Sequence, residues 1–129
     1  MAARFDHTIV WCRDKQRSSA FLTGILGLSP AESFLDFLVV RLANGVSLDF
    51  ADKEGDVAPQ HYAFLVSEEA FDAGYGRIKA DSVPHWADPA RERPDEINRH
   101  WGGRGVYFED PDGHLMEMIT TPYGSEEEL

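Results

Sequence analysis

The chain has a single cysteine, Cys12, among its 129 residues, so no disulfide can form within it and a reducing compartment suits it. Basic residues are scarce: 12 Lys plus Arg stand against 23 Asp plus Glu, a formal net charge of −11. Phosphate backbones need a basic footprint, which excludes nucleic acid as a partner. Long hydrophobic runs are missing too. None approaches the roughly 18 residues that a membrane span requires. The opening Met1-Ala2-Ala3-Arg4-Phe5-Asp6-His7 has no apolar signal core, so no membrane partner and a cytoplasmic location are expected. What is present is a 43% hydrophobic content, enough to build one domain or two half-domains sharing a core.

Residues 5–12 are rich in β-branched and aromatic side chains and read as a strand. Asp14 then suits a helix N-cap. Phe21, Leu22, Ile25 and Leu26 follow at helical spacing, with Gly27 as the stop. Three short strands are expected near 31–34, 37–42 and 46–51, the last two joined by the turn pair Asn44-Gly45. Residues 52–59 are polar and contain Gly and Pro, as a linker would.

From residue 60 the order restarts. Residues 60–66 read as a strand, and Ser67-Glu68-Glu69 opens a helix to about Ala80, capped by Ser67 with acidic residues in its first turn. A weak strand near 83–86 precedes a hairpin of 106–109 and 115–121. Its turn, Asp110-Pro111-Asp112-Gly113, carries type I chemistry. The chain therefore reads as βαβββ over about 5–51, a linker over 52–59, and βαβββ over about 60–122, ending in an acidic tail at 123–129. The second half is the longer. The charged, Pro-containing stretch 87–103 holds the excess, in the manner of a lid or ligand wall.

His7, His61 and Glu117 each sit in a strand-like segment, and Asp49 takes the matching place in a fourth. Two imidazoles with one or two carboxylates suit a divalent metal with open coordination positions. Alternation places His7 opposite Thr8 and Val10, Asp49 opposite Leu48 and Phe50, and His61 opposite Tyr62 and Phe64. Each candidate ligand thus points away from the helix-packing side. Glu117 is ambiguous, because Leu115, Met116, Met118 and Ile119 are all apolar. His114 follows the turn glycine and suits a turn or strand-start role. His85 and His100, with Trp86 and Trp101, flank the long loop and could line a pocket, as could Trp11 and Tyr107.

With these residues in place, the chain resembles the vicinal oxygen chelate superfamily: glyoxalase I, extradiol dioxygenases, fosfomycin-resistance transferases and bleomycin-resistance proteins. The resemblance covers nearly all of residues 5–122. It is carried by His7, the helix ending Phe21-Leu22-Thr23-Gly24-Ile25-Leu26-Gly27-Leu28, His61, and the run from Tyr107 through Asp110-Pro111-Asp112-Gly113-His114 to Glu117. It implies an α+β fold of paired βαβββ modules forming an open barrel, completed in a homodimer. It implies His7, His61 and Glu117 as metal ligands, with Asp49 as a fourth ligand or a base and Glu117 also as a catalytic group. The metal would be Fe, Mn, Ni, Co or Zn. Trp11, Trp86, Trp101, Tyr107 and His100 are the candidates for substrate contact.

The implied activity is that of a lyase, isomerase or dioxygenase chelating a small oxygenated compound. The alternative is a non-catalytic sequestration protein of the bleomycin-resistance type. Trp11 stands where glyoxalases often carry an arginine, which argues against glutathione hemithioacetal chemistry. No Lys or Arg follows Glu117, which argues against fosfomycin transfer. The aromatic residues suit an aromatic substrate.

Overall fold

A computed structural model describes residues 2–125; the acidic residues 126–129 lie outside the described part. The chain divides into two compact units between Ala58 and Pro59. In the first, β1 (His7–Cys12), α1 (Lys15–Leu26), β2 (Glu32–Phe34), β3 (Phe37–Arg41) and β4 (Ser47–Asp52) follow in order. In the second come β5 (His61–Leu65), α2 (Glu68–Ala80), β6 (His85–Trp86), β7 (Gly105–Glu109) and β8 (Leu115–Ile119). A single 3₁₀ turn, His100–Gly102, lies in the long loop before β7. The result is α+β, with two four-stranded mixed sheets ordered β1-β4-β3-β2 and β5-β8-β7-β6.

The helices begin and end where local chemistry dictates. The Asp14 carboxylate accepts hydrogen bonds from the Gln16 and Arg17 amides, and Ser67 Oγ accepts from the Ala70 amide. Gly27 closes α1 at φ 68°, the left-handed conformation that glycine adopts without a Cβ penalty. The hairpin turn closes through Gly113 N–H donating to the Asp110 carbonyl at 3.1 Å.

Strand alternation decides which side chains meet the helices. In β1, Val10 and Cys12 are buried while His7, Ile9 and Trp11 are exposed on the other face. Leu48 and Phe50 of β4, Val40 of β3 and Leu22 and Ile25 of α1 complete the first core. The second core contains Phe64, Phe71, Ile78, Val106, Phe108, Met116 and Met118. Each fully buried Leu, Met or Phe contributes roughly 1.5–3 kcal/mol. Met116 and Met118 take the helix side, which assigns Glu117 to the opposite face and removes its ambiguity.

The two units repeat not only in element order but in register. In the first, His7 pairs with Ser47 and Ile9 with Asp49; in the second, His61 pairs with Leu115 and Ala63 with Glu117. Asp49 therefore stands to His7 as Glu117 stands to His61. The excess length lies where the composition places it: β2 and β3 are joined through Leu35 and Asp36, whereas β6 and β7 are separated by residues 87–104.

That long segment is built, not slack. Asn98 is buried, its side-chain amide donating to the Ala87 carbonyl at 2.8 Å, while its backbone exchanges two hydrogen bonds with Gly105 at 2.9 and 3.0 Å. A Cβ on Gly105 would lie 2.9 Å from the Asn98 side chain, so glycine permits this closure. Arg104 ties the segment's end to α2. Its Nε donates to Glu68 and its Nη1 to Asp72, each at 2.8 Å, and the guanidinium lies 4.5 Å from the Phe71 ring centroid.

The Glu68 carboxyl is held below its ordinary range by a Thr120 hydrogen bond first and by Arg104 second. Its folded pKa lies below its unfolded value. That contribution to stability is present above the unfolded carboxylate range and is lost as pH falls through the folded value. Arg104→Ala is expected to lower the melting temperature by a few degrees at neutral pH, and by less in acid below about pH 4.5. Melting curves across pH 3–7 check this; a loss that does not shrink in acid contradicts it.

Candidate functional site

In the second unit the face of the sheet opposite α2 carries two rows of side chains set by strand register. One row is Ala63, Glu117, Tyr107 and Trp86; the next is His61, Leu115 and Glu109. His61 and Glu117 are in contact, with His61 Nε2 3.1 Å from Glu117 Oε1. The Glu117 side chain is only 3% exposed, whereas the His61 side chain is 49% exposed.

The other imidazole nitrogen sets the chemistry. His61 Nδ1 lies 2.9 Å from the Leu115 carbonyl, which can only accept, so Nδ1 carries the hydrogen. In the neutral ring the Nε2 lone pair then faces a buried carboxylate oxygen. Two acceptors at 3.1 Å are reconciled by a positive charge: a second proton on the ring, or a cation bound by both atoms. A histidine whose outer nitrogen is fixed by a backbone carbonyl is the usual arrangement of a metal ligand. The donor set therefore fits a divalent ion.

Tyr107 supports Glu117 from the neighbouring strand. Its ring stacks on His61 with centroids 6.0 Å apart, and its hydroxyl is hydrogen-bonded to Glu117. Burial first, and the Glu117 charge second, push the phenol pKa far above its ordinary range. The hydroxyl thus stays protonated and remains a donor at neutral pH.

In the first unit the equivalent pair is engaged differently. His7 Nδ1 lies 2.7 Å from Asp6 Oδ2, a bond that leads the causes raising the His7 pKa, with Asp49 adding a smaller contribution. Asp49 is buried and accepts from Ser47 Oγ at 3.1 Å. Among the described residues, no three His, Cys, Asp or Glu side chains converge as metal ligands within either unit. Each unit instead presents one histidine and one carboxylate.

The remaining candidates separate. Trp86 and Tyr107 share the Glu117 face. Trp11 lies on the His7 face of β1, 45% exposed. His100 and Trp101 form the 3₁₀ turn, where Trp101 packs against Tyr123 with ring centroids 4.8 Å apart. His85 is on the helix side of its sheet, beneath Tyr75, and lines a cleft of about 370 Å³ with Lys79 and Asp95. His114 is fully buried and accepts from the Gln60 amide at 2.9 Å, a structural role. Arg91, which sequence reasoning passed over, reaches Trp86 and Glu109 on the Glu117 face. Nothing in its sequence context marks it, because its placement depends on a loop conformation.

Residues 4–118 match the Glyoxalase/Bleomycin resistance protein/Dioxygenase superfamily. The chain belongs to this superfamily. Among curated relatives, it is 37% identical over 81 residues to the metallothiol transferase FosB of Shouchella clausii, a match covering 61% of this chain and half the length of that protein. It is 28% identical to the glutathione transferase FosA of Serratia marcescens, covering 92% of this chain and 81% of that protein. Among solved structures, Oxidase ChaP-H1 shares 52% identity with a TM-score of 0.94, covering 96% of this chain and all of that one. Oxidase ChaP-H2 shares 52% identity with a TM-score of 0.93, covering 97% and 98%. The α+β fold of paired βαβββ modules expected from the resemblance is thereby established, as is kinship with the fosfomycin-resistance transferases. No helix among the described residues is long and apolar enough to cross a membrane.

Proposed function

We propose that this superfamily member is a metal-dependent oxidase acting on a small oxygenated aromatic compound. The observation that carries the reading is the His61–Glu117 pair, whose lone pairs face each other with the outer imidazole nitrogen fixed by Leu115. The 52% identity to two proteins named oxidases supports oxidation over lyase or transferase chemistry. His61 and Glu117 hold the ion from the second unit. We propose His7 as the third ligand and Asp49 as a fourth ligand or a base.

When bound, a divalent ion such as Fe(II) or Mn supplies stabilisation of negative charge on adjacent substrate oxygens and access to dioxygen. The chain's own residues do the rest. Leu115 fixes the His61 tautomer, and Tyr107 orients the Glu117 carboxylate. Trp86 offers an aromatic wall on the same face, and Ala63 leaves room beside Glu117. Segment 87–104 borders the substrate's entrance.

Metal analysis after reloading with Fe(II), Mn, Ni, Co or Zn tests the reading, together with oxygen uptake in the presence of catechols and hydroquinones. Wild-type protein is expected to retain close to one ion per chain. His61→Ala should lose that ion and lower any turnover by about a hundredfold or more. Wild-type protein that retains no ion refutes the proposal and leaves small-molecule sequestration.

A further inference from the structure

The face that carries His61 and Glu117 continues to an edge that metal binding does not require. Along the row Glu117, Tyr107, Trp86, two strand spacings place Trp86 about 10 Å from Glu117. Over this edge lies Arg91, its guanidinium carbon 5.1 Å from the Trp86 ring centroid. Arg91 Nη2 is 3.7 Å from Glu109 Oε1, too long for a hydrogen bond. Among the described residues the guanidinium meets only these two groups, so its donors are not used up. Its side chain is 40% exposed.

The backbone is arranged to put it there. Arg91 has φ 59°, a left-handed conformation that a side chain this long seldom adopts. Asp88 holds the turn: its carboxylate accepts from the Glu92 amide at 3.0 Å and the Arg93 amide at 2.8 Å, while its carbonyl accepts from the Arg91 amide at 3.3 Å. The Arg93 carbonyl accepts a hydrogen bond from the Ala87 amide at 3.0 Å, and Pro94 bridges Trp86. An exposed ion pair at 3.7 Å contributes too little to account for a strained position. The hydrogen bonds of the loop hold that position, and they leave the guanidinium over Trp86 with its nearest carboxylate oxygen beyond hydrogen-bond distance. In a chain of net charge −11, an anionic substrate is attracted only where a cation is set out for it.

We propose that Trp86 and Arg91 form the recognition end for a planar aromatic substrate bearing an anionic group, a carboxylate or phenolate, remote from the oxygens held at His61 and Glu117. This rests on the reading of His61 and Glu117 as the reacting end. The separation of about 10 Å is what a substituted bicyclic or tricyclic system covers. The planar fork of arginine matches a carboxylate in two parallel hydrogen bonds, and the Trp86 ring offers contact to the arene.

The test compares 2-naphthoate with 2-naphthamide, which share their rings and differ in charge, by titration calorimetry on the full chain. Wild type is expected to bind the carboxylate about tenfold more tightly than the amide. Arg91→Gln should reduce that preference to within about twofold and leave amide affinity unchanged. Arg91→Gly does the same with no risk to the loop, since glycine is at ease at this φ. Trp86→Leu should weaken both ligands, and His61→Ala should keep the preference.

A wild type without preference, or a preference that survives both Arg91 variants, overturns the inference. Metal retained with no Arg91-dependent preference refutes this inference alone. An Arg91-dependent preference in protein that holds no metal refutes the oxidase reading alone.

Discussion

Glu117→Gln is expected to cut metal affinity by on the order of a hundredfold or more without lowering the melting temperature of the metal-free protein. The two halves of this result have one cause. Glu117 is 2% exposed, and a carboxylate taken out of water costs several kcal/mol unless it is compensated. In the metal-free chain its compensation is the His61 imidazole at 3.1 Å and the Tyr107 hydroxyl. Glutamine has nearly the same shape and removes the charge, so packing around Met116, Met118 and Ile119 is kept while the desolvation cost falls.

Metal reverses the order of the two proteins. A ligand present at a hundred times its dissociation constant stabilises the folded state by about 2.7 kcal/mol, and only wild type receives this. Melting curves with and without Mn(II) or Zn(II), alongside metal analysis, make the comparison. A metal-free Glu117→Gln that melts well below wild type would show that the carboxylate is a structural group and not a ligand.

The legible parts of this fold are those that local rules determine. The caps Asp14 and Ser67, the stop at Gly27 and the Asp110–Gly113 turn are each decided within a few residues, and the structure places them where the sequence pattern does. The faces of β1, β4 and β5 were legible because polar and apolar residues alternate on them. The face of β8 was not. Leu115 and Ile119 are apolar on one side and Met116 and Met118 on the other, and only pairing with β5 and β7 assigns Glu117 to the open side. Sequence position groups His85 with the loop aromatics, but β6 pairs it with Phe108 and so turns it toward α2.

Arg91 and Arg104 lay beyond the reach of pattern for a different reason. Arg91 depends on a positive φ and on capping by Asp88, and Arg104 meets residues of α2 that are distant in sequence. Periodicity carries no information about either. The histidine and carboxylate candidates, in contrast, were legible as strand residues, and strand pairing adds that Asp49 lies diagonal to His7 as Glu117 lies diagonal to His61.

His114→Ala is expected to show the opposite pattern to Glu117→Gln: a large loss of stability with metal stoichiometry per folded molecule unchanged. The ring is completely buried just before β8. Its Nδ1 accepts from the Gln60 amide just before β5, and its edge meets the Tyr62 ring with centroids 5.7 Å apart. The Leu115 amide donates to the Gln60 carbonyl at 2.9 Å beside it. The imidazole therefore pins the start of two parallel strands one residue before His61 pairs with Leu115. Truncation leaves a cavity of ring size and an amide without its acceptor, together about 3–4 kcal/mol. That is a large share of the roughly 5–15 kcal/mol by which a domain is stable. Urea titration reads the loss as a shifted midpoint at constant slope. His114→Gln, whose amide oxygen can still accept from Gln60, should recover part of it. A loss below about 1 kcal/mol would mean that the site relaxes around the gap, and that the β5–β8 junction is held by the strand ladder alone.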